Sequence, residues 1–219
     1  MIPILAQSDD FVAVAKRSGD LVIPDRFRAE GPTLFDRLRE QMGGTLLLVH
    51  RLDRGTSGVL LFARSTAAQR ELSGQFEEGG IAKEYRALVD GVPGAAGGRV
   101  DAPLAKGRKG RMKIDPGGKP SATKWRALEV FAAHAWIEAR PETGRTHQIR
   151  VHLASIELPI VGDDRYNFTK REPVVPRLAL HARSIEFAVG GVRHRVEAPE
   201  PLDLESALAV LRSGGTGAG

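Results

Sequence analysis

The chain has no cysteine among its 219 residues, which excludes disulfides and Cys-ligated zinc. No apolar run approaches the length that spans a bilayer. The start, Met1-Ile2-Pro3-Ile4-Leu5, has no basic n-region and soon meets Asp9-Asp10, so no signal-peptide core is read there. Gly-x-Gly-x-x-Gly and P-loop patterns are missing, which leaves nucleotide cofactors without support. A metal site has none either. His147 and His152 are five positions apart, on different faces of a helix, and no Asp or Glu cluster surrounds them. Internal repeats and a clear linker are lacking too. The expectation is a cytoplasmic, monomeric protein with no cofactor, no metal and no membrane partner. A single domain over residues 1–212 is expected, with 213–219 as a disordered tail.

Hydrophobic residues at 42% and charged ones at 27% describe an ordinary globular chain. The net charge of +5 is modest, and its distribution says more than its sum. Lys106-Gly107-Arg108-Lys109-Gly110-Arg111-Met112-Lys113 is basic without a single acid. Such clustering favours a polyphosphate partner, and a solvated loop is an equal reading of the run by itself.

Phe11–Lys16 and Leu21–Ile23 read as strands joined through Ser18-Gly19-Asp20. A short helix is predicted over Thr33–Gln41. Leu46–Val49 and Val59–Phe62 are strand-like. Ser65 is an N-cap for a helix over Thr66–Glu78 that buries Ala68, Leu72 and Phe76, and Gly79-Gly80 ends it. Lys83–Val89 is a strand, followed by a glycine-rich link over Gly91–Gly98 and the basic segment as a loop or loose hairpin. Lys124–Val130 pairs with His134–Arg140, and Pro141–Gly144 turns into a helix over Thr146–Ile156. Arg177–Val189 and Val192–Ala198 form a last strand pair before a helix over Leu202–Leu211. Tight turns between strands predict an α+β fold: a mixed, mainly antiparallel central sheet with flanking helices.

The densest chemistry lies in His50-Arg51-Leu52-Asp53-Arg54-Gly55-Thr56-Ser57-Gly58, where one carboxylate sits between two arginines in a glycine-closed turn. Flanking cations favour the ionised form, which suits a nucleophile or general base. A carboxylate that caps the turn is an equal reading. Tyr85, in Lys83-Glu84-Tyr85, reads as strand core or as an aromatic face for a base. In Thr143-Gly144-Arg145-Thr146-His147-Gln148-Ile149-Arg150-Val151-His152, Arg145 and Arg150 read as surface cations, as an anion site, or, for Arg150, as the bidentate partner of a buried carboxylate.

Taken in order, these segments resemble the RluA-type RNA pseudouridine synthases. The series is His50–Asp53 with Thr56–Gly58, Lys83–Tyr85, Thr143–Leu153, Pro159-Ile160-Val161-Gly162-Asp163 and Leu178-Ala179-Leu180-His181-Ala182. The resemblance implies a sheet with a catalytic cleft and the isomerisation of uridine to pseudouridine in RNA, without metal or cofactor. It implies Asp53 as the catalytic carboxylate, Tyr85 stacked on the target base, Arg150 paired with Asp53, and Arg51 inserted where the nucleotide leaves the stack. His50, Arg145, His147, Lys106, Arg108, Lys109 and Arg111 are expected at the RNA. Extruding a base costs a few kcal/mol, and an Arg can fill the gap by stacking. The RNA partner is expected to be a ribosomal or transfer RNA stem-loop.

Many relatives carry Lys-Pro before the Ser-Gly of the first hairpin, where this chain has Lys16-Arg17-Ser18-Gly19; a less rigid turn is expected. About ten residues precede Phe11, so no N-terminal S4 module is expected. A ribosome-assembly factor with dispensable chemistry is an alternative, opposed by the joint presence of Asp53, Tyr85 and Arg150. A nucleoside glycosidase would want a second carboxylate, which these motifs do not place.

Overall fold

The computed structural model describes residues 1–24, 31–169 and 171–214, with the side chain of Lys109 outside that set. Residues 215–219 of the expected tail therefore lie outside the described residues. In chain order the elements are β1 (Ile4–Gln7), β2 (Phe11–Lys16), α1 (Leu34–Met42), β3 (Leu47–Leu48), β4 (Ser57–Ala63), α2 (Thr66–Glu78), β5 (Ala82–Asp90), β6 (Gly97–Asp101), β7 (Leu104–Lys106), β8 (Met112–Ile114), β9 (Ala122–Val130), β10 (His134–Pro141), α3 (Gln148–Ser155), β11 (Leu180–Val189), β12 (Val192–Glu197) and α4 (Leu202–Arg212). This is an α+β chain with mainly antiparallel strands. Among the described residues no helix is long and apolar enough to cross a membrane. The chain divides into two compact units, Met1–Lys83 with Ala182–Pro199, and Glu84–His181 with Glu200 onward.

In the first unit the strand order is β1-β2-β4-β11, with β3 also on β4 and β12 on β11. β2 and β4 run antiparallel from Phe11 opposite Ala63 to Lys16 opposite Gly58. Every residue of β4 is buried, because both of its faces are covered. Val12, Val14, Leu60 and Phe62 pack with Leu34 and Leu38 of α1, while Phe11, Ala13, Val59 and Leu61 pack with Ala68 and Leu72 of α2. Two-sided burial explains why these strands read as unbroken apolar runs rather than as alternation. The helix ends follow their capping chemistry. Thr33 and Asp36 form a reciprocal capping box on α1. Ser65 accepts from the Ala68 N–H, and Gly79 closes α2 in the left-handed region.

Two local expectations fail here. Leu21–Ile23 is not a strand: the Leu21 and Val22 carbonyls accept from the Leu34 and Phe35 N–H groups, 2.8 and 3.2 Å away. They satisfy donors that the first turn of α1 leaves without helical partners. The edge strand β1 has no clear signal in the sequence, since its partly exposed residues carry little hydrophobic period.

In the second unit the order is β5-β10-β9-β6, and β7 pairs with β8 in a separate two-stranded hairpin. β10 lies antiparallel to β5, with Ala139 opposite Tyr85. The link expected over Gly91–Gly98 is partly strand, because Gly97 and Gly98 open β6 on β9. The core joins Ala87, Leu88 and Val89 of β5 with Ala135 and Ile137 of β10, Ile149 and Leu153 of α3, and Leu204 and Leu208 of α4. Each Val, Leu or Ile among them contributes about 1.5–3 kcal/mol when fully removed from water.

Candidate active site

Asp53 begins a tight turn in the first unit, closed by the Thr56 N–H donating to the Asp53 carbonyl at 3.1 Å. Its side chain is half-buried. What holds the turn comes from the end of β2. The ammonium of Lys16, a residue only 2% exposed, donates to the carbonyls of Arg17 (3.0 Å), Arg54 (3.0 Å) and Thr56 (2.8 Å). An ammonium offers three protons, and three carbonyls converge on this one. Ser18 Oγ donates to the Gly55 carbonyl at 2.7 Å. Arg54 returns the contact, its Nε donating to the Gly19 carbonyl at 3.1 Å, while the Gly19 N–H donates to the Arg54 carbonyl at 2.8 Å. The segment Lys16–Gly19, expected to form a looser turn, is a clamp on the loop that presents Asp53.

Glycine is required at the far end of that loop. Gly58 has φ +116°, and a Cβ there would lie 2.2 Å from the Ala182 carbonyl oxygen of β11. Arg51, on the loop itself, is exposed, as a side chain that meets a partner must be. His50 takes a different role from the one expected. Its Nε2 accepts from the Leu61 N–H at 2.9 Å, so the ring proton lies on Nδ1. The ring stacks on Phe76 with centroids 4.4 Å apart. Burial first, and the Lys83 charge second, push its pKa down to about 3. His50 is thus a neutral bracket between the loop, β4 and α2, and carries no charge for a phosphate at neutral pH. Phe76, expected in the core, is half-buried under that ring.

Tyr85 stands half-buried on β5 in the second unit, packed at the margin of its core. Strand alternation sends Glu84 and Arg86 to the opposite face. There Glu84 pairs with Arg86 and Arg140, both at 2.7 Å, and Glu138 pairs with Arg126 at 3.0 Å and Arg140 at 3.1 Å. Burial would raise the Glu84 carboxyl, but Arg86 and Arg140 outweigh it and hold it below the usual range. The charges brace one face of the sheet and leave Tyr85 on the other.

Arg150, on α3, is 6% exposed. Its Nε and Nη2 form a fork on Asp163, both at 2.7 Å, and its guanidinium lies 5.1 Å over the Tyr166 ring. Asp163 Oδ1 also accepts from the Arg165 and Tyr166 N–H groups at 2.9 and 3.1 Å. Burial opposes the Asp163 charge, yet Arg150 and these donors hold its pKa below the usual range. The bidentate role anticipated for Arg150 is therefore filled, at least in these two nitrogens, by Asp163. The turn that delivers Asp163 needs glycine at its neighbour: a Cβ on Gly162, at φ +70°, would lie 2.0 Å from the Arg177 carbonyl oxygen.

His147 caps α3 from the left-handed region at φ 53°, which is why the helix begins at Gln148 rather than at Thr146. Its Nδ1 lies 2.8 Å from the Tyr166 hydroxyl, which also accepts from the Met112 N–H at 2.8 Å. Gln148 fastens the preceding turn, accepting from the Thr143 hydroxyl at 2.6 Å and the Arg145 N–H at 3.0 Å. Arg145 is exposed, with Nε on the Pro120 carbonyl at 3.2 Å. His152, by contrast, is buried on Thr123 at 2.8 Å and the Ala102 carbonyl at 3.0 Å.

The basic segment is the β7–β8 hairpin, tipped by a 3-10 turn over Arg108–Gly110. Lys106, Arg108 and Arg111 are exposed, and among the described residues no carboxylate pairs with any of them. Lys109 is one of the expected RNA contacts, and its side chain lies outside the described set. The functional side chains missed in the sequence are Lys16, Ser18, Gln148, Asp163 and Tyr166. A lysine closing an apolar strand before Ser-Gly was a visible signal for the first two.

Residues 10–155 match the family described as RNA pseudouridylate synthase. A ribosomal large subunit pseudouridine synthase C of Vibrio cholerae is 43% identical over 76% of this chain and 56% of its own length. The chain thus spans little more than half of that relative. An RNA pseudouridine synthase of Mycobacterium bovis, itself uncharacterized, is 36% identical over 97% of this chain and 73% of its own length. Among solved structures, human RNA pseudouridylate synthase domain containing 1 superposes with a TM-score of 0.80 at 27% identity, over 94% of this chain and 87% of that one. Human RNA pseudouridylate synthase domain containing 4 shares the fold with a TM-score of 0.80 at 24% identity, over 96% and 93%. With the motif series, the antiparallel α+β architecture and these matches together, the chain belongs to the RNA pseudouridylate synthase family, and within it to the RluA type.

Proposed function

We propose that the protein isomerises uridine to pseudouridine within structured RNA, with Asp53 as the catalytic carboxylate. The observation that carries this reading is the clamped turn of Asp53: Lys16, Ser18 and Arg54 fix the backbone of the loop that presents the carboxylate. In the reaction the N1–C1′ bond breaks, the uracil turns, and C5 bonds to C1′. One proton leaves C5 and one is gained at N1, so the change is balanced without oxidant, metal or cofactor. The reaction uses Tyr85 as an aromatic face and proton acceptor near C5, Arg150 as a further cation of the catalytic set, and Arg51 to occupy the space left by the extruded nucleotide. The hairpin cations and Arg145 hold phosphates.

Both units belong to one catalytic domain in this reading, which acts in the cytoplasm as a monomer. The relative from Vibrio cholerae is named for the large ribosomal subunit, so large-subunit ribosomal RNA is the first substrate to test and transfer RNA the second. Each RNA is incubated with purified protein and its pseudouridines are mapped by carbodiimide adducts and primer extension. Wild type produces stops at discrete uridines. Asp53→Asn produces none and binds the same RNA as tightly as wild type. Full activity in Asp53→Asn removes Asp53 from the chemistry, and binding by wild type with no product on either RNA favours the assembly-factor alternative.

A further inference from the structure

Phe168 is 74% exposed, the one aromatic among the large apolar side chains left open to solvent in the described residues. A single exposed apolar residue is ordinary. The support beneath this one is not. Asn167 donates from Nδ2 to Asp90 Oδ2 at 2.5 Å and to the Ile160 carbonyl at 3.0 Å. Thr169 donates from Oγ1 to the same Asp90 oxygen at 3.1 Å, and its N–H donates to Asn167 Oδ1 at 2.9 Å. Asp90 is 6% exposed. The residues on both sides of Phe168 are thus anchored to one buried carboxylate, and the ring between them is held outward.

The second observation is a cation. The Arg111 guanidinium lies 5.7 Å over the Phe168 ring, within the range of a cation–π contact. It stays there because the next residue, Met112, donates its N–H to Tyr166 OH, two positions before Phe168. The basic hairpin and the Asp163–Thr169 segment are clasped at that point. The result is an aromatic face with an arginine against it, beside Lys106 and Arg108, which are also exposed.

We infer that Phe168 and Arg111 form a stacking platform for an unpaired nucleobase of the RNA, next to the phosphates that the hairpin holds. Aromatic faces and guanidinium planes are the surfaces on which single-stranded bases stack. Duplex RNA, whose bases are already stacked, gains nothing from them. The inference rests on the proposed RNA substrate and adds a subsite that prefers unpaired strand.

The test is fluorescence anisotropy with a short labelled oligouridine and, separately, a labelled RNA duplex. Phe168→Ala weakens oligouridine binding roughly tenfold and leaves duplex binding and the salt slope as in wild type, because stacking releases no counterions. Phe168→Tyr restores the affinity and Phe168→Leu does not. Arg111→Gln lowers both affinity and salt slope. Phe168→Ala binding oligouridine as wild type does overturns the platform. Rescue by Leu also overturns it, because apolar bulk without a flat stacking face then suffices. Wild type that binds neither RNA removes the RNA reading itself.

Discussion

At the scale of single residues, the position of Asp53 depends on a side chain far from it in sequence. Lys16 delivers three N–H groups to main-chain carbonyls at Arg17, Arg54 and Thr56. In Lys16→Met the apolar stem keeps its place and the three carbonyls lose their donor. Leaving buried acceptors unpaired costs about 1–3 kcal/mol, read as a lower urea midpoint. Because the turn itself loosens, kcat for pseudouridine formation falls with little change in KM. Lys16→Arg does not rescue, since a planar fork cannot aim at three carbonyls that converge on a point. A variant with wild-type midpoint and kcat shows that the clamp is dispensable. Asp53 was legible in sequence because its motif is contiguous and rich in unusual residues. Lys16 and Ser18 carry no role legible in the sequence, because their partners are backbone carbonyls, which every sequence supplies and none advertises. Arg150 was legible as a bidentate cation, but its carboxylate, Asp163, was legible only as the end of a motif.

At the scale of elements, end signals made the difference between good and poor expectations. α2 has the predicted bounds, Thr66–Glu78, since Ser65 and Gly79 both act as their chemistry dictates. Leu21–Ile23 looked like a strand and instead caps α1, a tertiary use of apolar residues that local pattern does not encode. The basic segment was ambiguous between loop and hairpin, and between solvation and binding. Its geometry is now a hairpin, and its task is open to a salt titration. Each cation that meets a phosphate contributes about 0.7–0.9 to the slope of log K against log salt. Replacing Lys106, Arg108, Lys109 and Arg111 together with Gln weakens RNA binding and lowers that slope by roughly three to four units if all four meet phosphates. An unchanged slope returns the segment to the solvated-loop reading. The hairpin's own stability is not at issue, as its backbone pairing Leu104–Ile114 to Lys106–Met112 involves none of these side chains.

At the scale of the whole molecule, three imidazoles are held neutral by burial: His50, His134 and His152 all have lowered pKa values, with desolvation the leading cause in each. An imidazole whose folded pKa is depressed takes up its proton more readily when the chain unfolds. Its contribution to stability is therefore full above the unfolded value near 6.5 and is lost as pH falls toward the folded value. For His50 that window runs from about 6.5 down to about 3. Carboxylates held low by cations, such as Glu142 at about 2 beside Arg99 and Lys124, lose their contribution only below the ordinary carboxylate range. The two classes separate on the pH axis, and acidification from pH 7 to 5 reads mainly the histidines. Over that interval His50 alone accounts for about 2 kcal/mol of lost stability. His50→Gln keeps an acceptor for the Leu61 N–H and removes the titration. Its unfolding free energy, measured in urea at pH 7, 6 and 5, falls about 2 kcal/mol less over the series than that of wild type, whatever the variant loses uniformly with the Phe76 stack. Parallel pH profiles for the two proteins mean that His50 titrates alike in the folded and unfolded chain, so that the fold does not hold it neutral.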